Sequence, residues 1–281
     1  MTAEPVREKQ DGDRNESSSE PQAGTRLSAE EIHENILEGA SEELERPALD
    51  LALSGLASGL TIGFSFLAVA LLIPQMGIEH RAIASAIGYP LGFVFVVFGR
   101  HQLFTENTLE PMIPLLERRD ARTLKRVLRL WGIVLVANLI GAAIFAFVLS
   151  RTEVLEPALN GTLIDVARDT VKGGAVLVFY KGIWAGWLIA LMAWLIASAR
   201  ETTAQIILVW LATAPIAAFG FKHSIAGATE AFYLGWLGDQ SWANVWGSFE
   251  IPAILGNIVG GVVLVALLNH GQAGGSTSKS E

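Results

Sequence analysis

The sequence predicts an all-α, multi-pass membrane protein with six transmembrane helices. Of its 281 residues, 51% are hydrophobic and only 17% are charged, whereas soluble domains carry about 25% charged residues. The apolar residues fall into six long stretches, and a bilayer core needs about 20 apolar residues per helix. Motifs in the first half recur in the second at an offset of about 120 residues. These observations predict a 3+3 inverted repeat.

The first 48 residues differ from the rest of the chain. They hold five basic and 13 acidic residues, so the net charge of -8 belongs to this segment. Residues 1–27 are almost free of apolar side chains, and we expect a disordered acidic tail there. In residues 28–48, Ser28 and Glu31 have the spacing of a capping box, and apolar residues follow at helical spacing. We expect an amphipathic cytoplasmic helix that Pro47 ends.

The transmembrane domain is predicted over residues 49–270. Its apolar stretches lie at residues 49–73, 82–104, 127–150, 175–199, 203–238 and 251–269. Residues 271–281 are small and polar, and we expect a disordered C-terminal tail. Six spans place both termini on the same side of the membrane.

The loop between the second and third spans fixes the orientation. It carries six basic residues, Arg118, Arg119, Arg122, Lys125, Arg126 and Arg129, whereas the last loop, near 239–250, has none. The positive-inside rule therefore predicts that this loop and both termini lie in the cytoplasm.

Composition excludes several classes of protein. The chain has no cysteine, which excludes a disulfide scaffold and a thiolate metal site. Its five histidines are scattered, so we predict neither a metal site nor a cofactor. Outside the acidic tail the charges balance, so no nucleic-acid partner is predicted. An intramembrane enzyme built on Ser224 and His223 is disfavoured, because adjacent side chains on a helix diverge by about 100°.

Three pairs of motifs relate the two halves. The pairs are Asn138-Leu-Ile-Gly141 with Asn257-Ile-Val-Gly260, Gly55-x-x-x-Gly59 with Gly182-x-x-x-Gly186, and the polar cluster at His101 with that at His223. The two polar clusters interrupt the second and fifth spans. A charge at the centre of a helix costs about 2.5–3.5 kcal/mol on insertion scales, and irregular backbone at that depth survives only inside protein or beside water. We therefore expect two broken helices whose breaks meet at a polar pathway.

At both breaks the sequence resembles the formate/nitrite transporter family. The segment Gly220-Phe221-Lys222-His223-Ser224-Ile225-Ala226 resembles that family's Gly-Phe-Glu-His-Ser-x-Ala loop, and Leu103-Phe104-Thr105 resembles its Leu-Phe-Thr loop. Gly182-Ile183 and Gly256-Asn257-Ile258-Val259-Gly260-Gly261 match its motifs in the fourth and sixth spans. The resemblance covers residues 50–269.

The resemblance implies a fold and a function. It implies an aquaporin-like fold with helices two and five broken, assembled in the inner membrane as a homo-pentamer with one pore per protomer. It also implies passage of small monovalent anions such as formate or nitrite, coupled to protons through His223. Three positions depart from the family: Lys222 replaces a glutamate, and Gly186 and Gly227 replace asparagines.

The side chains near the breaks suit an anion pathway. An anion entering an apolar pore loses hydration worth several kcal/mol, and positive potential or protonation lowers that barrier. Lys172, Lys181 and Lys222 are expected to supply positive potential, and His223, whose imidazole titrates near pH 6.5, to supply the proton. Two alternatives stay open: Lys181 as an interfacial anchor, and Lys222 as a backbone anchor or a partner of Glu230. Leu103, Phe104 and Phe219 are expected to form apolar constrictions. Thr105 and Ser224 offer hydroxyl groups.

Two other functions stay open from the sequence alone. One is a neutral small-solute pore, although the paired Asn-Pro-Ala signatures of such pores are absent. The other is a membrane scaffold or sensor that moves no solute. For the homo-pentamer, the small-residue faces at Gly55/Gly59 and Gly256/Gly260 are expected to permit close contact between helices.

Overall fold

The structure, a computed structural model, describes residues 27–273. Most of the predicted N-terminal tail and residues 274–281 of the predicted C-terminal tail lie outside this part of the chain. Every regular element within it is helical. The α-helices are α1 (Ala29–Glu45), α2 (Ala48–Ile62), α3 (Phe64–Met76), α4 (Arg81–Gly88), α5 (Pro90–Phe98), α6 (Met112–Arg118), α7 (Ala121–Arg151), α8 (Pro157–Val171), α9 (Gly174–Ser198), α10 (Thr202–Ala218), α11 (Ser224–Leu237), α12 (Trp242–Asn244) and α13 (Ile251–Ala273).

Within residues 27–273, five helical segments are long and apolar enough to cross a membrane. They are Ala48–Met76, Ile78–Phe98, Ala121–Arg151, Gly174–Ser198 and Trp242–Val265. Helix α10 is also apolar but shorter. The all-helical class and the membrane-protein class predicted from the sequence are confirmed.

Helix α1 begins at the predicted capping box. The Glu31 amide donates to Ser28 Oγ (3.1 Å), and the Ser28 amide donates to Glu31 Oε2 (2.6 Å). Its apolar face, centred on Ile32 and Ile36, packs against a cluster that includes Ile113 of α6. The helix therefore lies against the segment that follows the first predicted break.

Glycines bring α2 against α7, and α9 against α13. A Cβ atom on Gly59 would collide with the main chain of Asn138, and one on Gly186 with the main chain of Asn257. A Cβ atom on Gly256 or Gly260 would likewise collide with main-chain atoms of α9. The prediction that these glycine faces permit close contact between helices is confirmed, but the expectation that this contact lies between subunits is wrong. They are filled inside one protomer, because a helix can approach this closely only where no side chain intervenes.

The sequence misassigns two connecting segments. The predicted loop at 239–250 is mostly helical, since Ser241 caps α12 (Asn244 N–H to Ser241 Oγ, 3.2 Å) and a π-helical turn, Val245–Glu250, leads into α13. Pro252 lacks a backbone N–H group, and this interrupts the regular α-helical hydrogen bonds at the π-helical turn. The connection between α7 and α9, for which the sequence predicts no helix, contains α8.

The predicted second span, residues 82–104, ends too late. Helix α5 ends at Phe98, and the next residues turn away through Arg100, whose φ is 50°. Apolar content alone does not set this boundary, because Leu103 and Phe104 are buried in the loop rather than in the helix.

Candidate functional site

Two loops interrupt the helices at equivalent positions. The first follows α5, and the second follows α10. Each begins with a left-handed residue, Arg100 (φ 50°) or Gly220 (φ 64°). The next amide then bonds five residues back, from His101 N to Val96 O (3.0 Å) and from Phe221 N to Ile216 O (2.8 Å). This is the hydrogen bond of a Schellman helix end, and the two loops repeat it at an offset of 120 residues.

Asn138 of α7 holds the first loop. Its Oδ1 accepts from the Phe104 amide (2.9 Å). Its Nδ2 donates to the carbonyls of Gln102 (2.9 Å) and Gly55 (2.7 Å). One buried side chain thus satisfies main-chain groups on both sides of Leu103 and ties the loop to α2.

Asn257 of α13 holds the second loop with the same three bonds. Its Oδ1 accepts from the Ser224 amide (2.8 Å). Its Nδ2 donates to the carbonyls of Lys222 (2.9 Å) and Gly182 (2.8 Å). Irregular backbone in an apolar environment must have its polar groups satisfied internally, and each asparagine does this for one loop.

The two asparagines show which residues of the two loops correspond. The residue enclosed by Asn138 is Leu103, and the residue enclosed by Asn257 is His223. The pairing of His101 with His223 suggested by the sequence is therefore wrong by two residues. His101 corresponds instead to Phe221, which makes the same helix-ending bond.

The two loops meet at His223. Its Nε2 lies 2.7 Å from the Thr105 hydroxyl of the first loop. His223 is also the N-cap of α11, and its Nδ1 accepts a hydrogen bond from the Ala226 amide (3.1 Å). Because Nδ1 is thus the acceptor, the proton of the neutral ring sits on Nε2, which donates to Thr105. The Phe93 ring stands edge-on to the imidazole, with centroids 5.1 Å apart.

A cavity of about 460 Å³ opens beside the second loop. Lys222, His223 and Phe219 line it, together with four residues that the sequence did not single out for the site: Arg81, Tyr89, Asp169 and Glu230. The ion pair between Arg81 and Asp169 (2.9 Å) lies in its wall. The site thus combines a cavity lined by charged side chains with the contact between the two loops.

Lys222 is buried in this cavity, with 4% of its surface exposed. Its Nζ donates to the main-chain carbonyl of Asp169 (3.0 Å), and its amide donates to the carbonyl of Lys181 (3.3 Å). Glu230 lines the same cavity. The lysine predicted to supply positive potential therefore has a fixed place beside His223.

The other predicted residues occupy different environments. Leu103, Phe104 and Ser224 are buried. The Ser224 hydroxyl finds no partner among residues 27–273. Phe219 is 68% exposed, which puts it at the edge of the cavity rather than in a closed constriction. Lys172 is not in this cavity but lines a second one of about 310 Å³ with Arg168.

Several residues of the site were not predicted as such. Asn138 and Asn257 are visible in the sequence only as parts of a repeated motif, and the repeat itself was the signal of their role. Phe93 gave no signal, because the side of a uniformly apolar helix that faces the site depends on tertiary packing.

Comparison with known proteins places the chain in a family. The family described as "Formate/nitrite transporter" matches residues 30–271. The chain is 33% identical over 242 residues to "Inner membrane protein YfdC" of Escherichia coli (strain K12), covering 86% of this chain and 77% of that protein. It is 27% identical to "Nitrite transporter NirC" of Salmonella typhimurium, covering 77% of this chain and 79% of that protein.

Two solved structures share the fold. A "Pentameric formate channel with formate bound" matches with a TM-score of 0.67 at 23% identity, over 78% of this chain and 95% of that one. An "FNT family ion channel" matches with a TM-score of 0.74 at 18% identity, over 90% of this chain and all of that one. These likenesses show the fold, and the matched family is one of membrane transporters rather than enzymes. The chain belongs to the formate/nitrite transporter family.

Proposed function

We propose that the protein conducts small monovalent anions, such as formate or nitrite, across the inner membrane. The observation that carries this proposal is the contact between the two loops, where Thr105 and His223 bond at 2.7 Å beside a charged cavity. Relatives named as formate and nitrite transporters support the choice of substrate.

The proposed architecture is six spans in a 3+3 inverted repeat. In this arrangement α4 and α5 with the chain up to α6 form a broken second span, and α10 with α11 forms a broken fifth span. The equal hydrogen bonds of Asn138 and Asn257 support the repeat. The basic segment Arg118–Arg129 supports placing both termini in the cytoplasm, which puts the cavity on the outer side.

The proposed pathway runs from the cavity, past His223 and Thr105, to the buried side chains Leu103 and Phe104. Lys222 and Lys181 provide positive potential at the outer side, and the N-terminus of α11 adds the positive end of its dipole at His223. Ser224 offers a hydroxyl whose hydrogen bond is not used by residues 27–273. Phe219 lies at the entrance, and Lys172 contributes only long-range attraction.

Proton linkage is proposed to act through His223. The Ala226 amide occupies Nδ1, so protonation at Nδ1 requires release of the α11 cap. Uptake of a proton and loosening of the second loop are thereby a single event. The same imidazole then carries a positive charge where an anion arrives.

Flux into proteoliposomes tests the function. The purified protein should move formate and nitrite well above the rate of protein-free vesicles, and should not move a neutral solute of similar size such as urea. Movement of urea without anions would favour a neutral-solute pore, and no movement of either would favour a scaffold.

The proposed homo-pentamer rests on the solved pentameric formate channel with the same fold. Native mass spectrometry of the detergent-purified protein should show five copies. A monomer as the sole species would contradict it.

A further inference from the structure

Glu230 is an acidic group inside the proposed anion pathway. It lies on α11, seven residues or about two helical turns after His223, and it lines the same cavity as Lys222. Only 5% of its surface is exposed, against 4% for Lys222. A carboxylate at such a place opposes the entry of anions, so its presence needs a physical reason.

The charges around the cavity divide into two sets. At the wall, Arg81 is paired with Asp169 at 2.9 Å. Lys222, by contrast, reaches only the main-chain carbonyl of Asp169, and among residues 27–273 no carboxylate lies within ion-pair distance of its ammonium.

The Lys222 ammonium is therefore fixed in position but keeps hydrogen-bond donors that no residue in the described part of the chain accepts. An ammonium group has three N–H donors, and within the described residues the Lys222 side chain donates one hydrogen bond, to Asp169 O. Two donors are left for an anion in the cavity. Glu230 lines the same cavity and forms no ion pair with Lys222 within the described residues, and its charge offsets the net charge that such an anion meets.

We infer that Glu230 is a specificity-determining residue, which balances Lys222 so that the cavity takes monovalent anions loosely and excludes divalent ones. The inference rests on the proposed anion conduction. A site that conducts must attract its ion enough to enter and release it quickly, and an unbalanced buried ammonium would hold the anion.

Discrimination by valence follows from how the energies scale. The cost of removing an ion from water rises with the square of its charge, whereas its attraction to a fixed charge rises only linearly. When Glu230 balances Lys222, the linear attraction is small, and a divalent anion cannot recover its larger desolvation cost. Removing the Glu230 charge restores the attraction and favours the divalent anion most.

The test measures formate flux in proteoliposomes for Glu230→Gln, with formate concentration and added sulfate as variables. We expect the half-saturating formate concentration to fall roughly tenfold and the maximal flux to fall as well. We also expect sulfate, inert toward the wild type, to inhibit the variant. Glu79→Gln is the matched control, because Glu79 is exposed and outside the cavity.

The same substitution in a Lys222→Gln background tests whether Glu230 acts through Lys222. If Glu230 acts by balancing Lys222, Glu230→Gln should there produce neither tighter half-saturation nor sulfate inhibition. Equal effects in both backgrounds, or no effect in either, would overturn the inference. A wild type that moves no formate would instead refute the proposed function. If Glu230→Gln does not assemble, Glu230→Asp, which withdraws the carboxylate from the cavity, should shift both readouts in the same direction, and an unchanged Glu230→Asp would count against the inference.

Discussion

At the scale of single residues, His223 joins three roles in one ring. It caps α11 through Nδ1, bonds Thr105 through Nε2 and faces the cavity. Capping and protonation compete for the same nitrogen, so the ring cannot keep its cap while both nitrogens carry protons.

Replacing His223 with asparagine separates capping from titration. Asparagine is among the best N-cap residues, so His223→Asn should retain the Ala226 bond and the fold. Wild-type formate flux should rise as the pH falls, because a protonated His223 carries a positive charge where the anion arrives, and the variant should show a flat profile. His80→Asn, on an exposed histidine, should keep the wild-type profile. A wild-type pH dependence in His223→Asn would remove the proton role from this ring.

The asparagine that holds the first loop is equally open to test. Asn138→Asp keeps the acceptor for Phe104 but places a carboxylate against the carbonyls of Gln102 and Gly55. Losing two buried donors should lower the free energy of unfolding by about 2–4 kcal/mol. Thermal unfolding in detergent measures this, with Asn160→Asp on the exposed side of α8 as control. Equal melting temperatures for the two variants would show that Asn138 does not hold the loop.

At the scale of elements, close contacts between helices set where the loops can lie. Gly59 and Gly186 let α2 and α9 touch the main chains of Asn138 and Asn257. The carbonyls that receive the asparagine side chains come within reach only at this separation. Helix packing and loop geometry therefore depend on each other, both where α2 contacts α7 and where α9 contacts α13.

Gly186→Ala tests this packing with a single methyl group. A Cβ there would overlap the Asn257 main chain, and forced separation of packed elements costs about 1–3 kcal/mol. Gly132→Ala is the matched control, because it is also helical and a Cβ would meet nothing within 4 Å. We expect Gly186→Ala to melt lower and to conduct less, and Gly132→Ala to behave as wild type. Similar melting of both variants would contradict the packing account.

Outside the membrane segments, α8 is tied to the end of α11 by Arg168 and Asp239. The hydrogen bond from Arg168 lowers the pKa of Asp239. Since the folded pKa lies below the unfolded one, the contribution to stability is present above the unfolded pKa and is lost as the pH falls through the folded value.

Asp239→Asn should therefore lower the melting temperature modestly at pH 7. In strong acid, below the folded pKa, the variant and the wild type should melt alike. Melting curves across this range check the sign. A difference that grows as the pH falls would contradict it.

At the scale of the whole molecule, the sequence predicts the features that depend on the order and spacing of residue types. Long apolar stretches predicted a helical membrane protein, and the motifs around Leu103 and His223 predicted the family. Tertiary packing decided the rest. Arg100 adopts a left-handed backbone that the sequence favours only at Gly220, and the position of Glu230 depends on how α11 is rotated about its axis.

The proposed route of anions leads through the cavity beside His223. The absence of cysteine from the chain makes this directly testable. Ser85→Cys places one thiol in this cavity, and Ser248→Cys places one in the second cavity, which the proposed pathway does not use. The measurement is formate flux in proteoliposomes before and after complete modification with a bulky maleimide. Modification should block flux through Ser85→Cys and leave Ser248→Cys conducting. Undiminished flux through fully modified Ser85→Cys would contradict it.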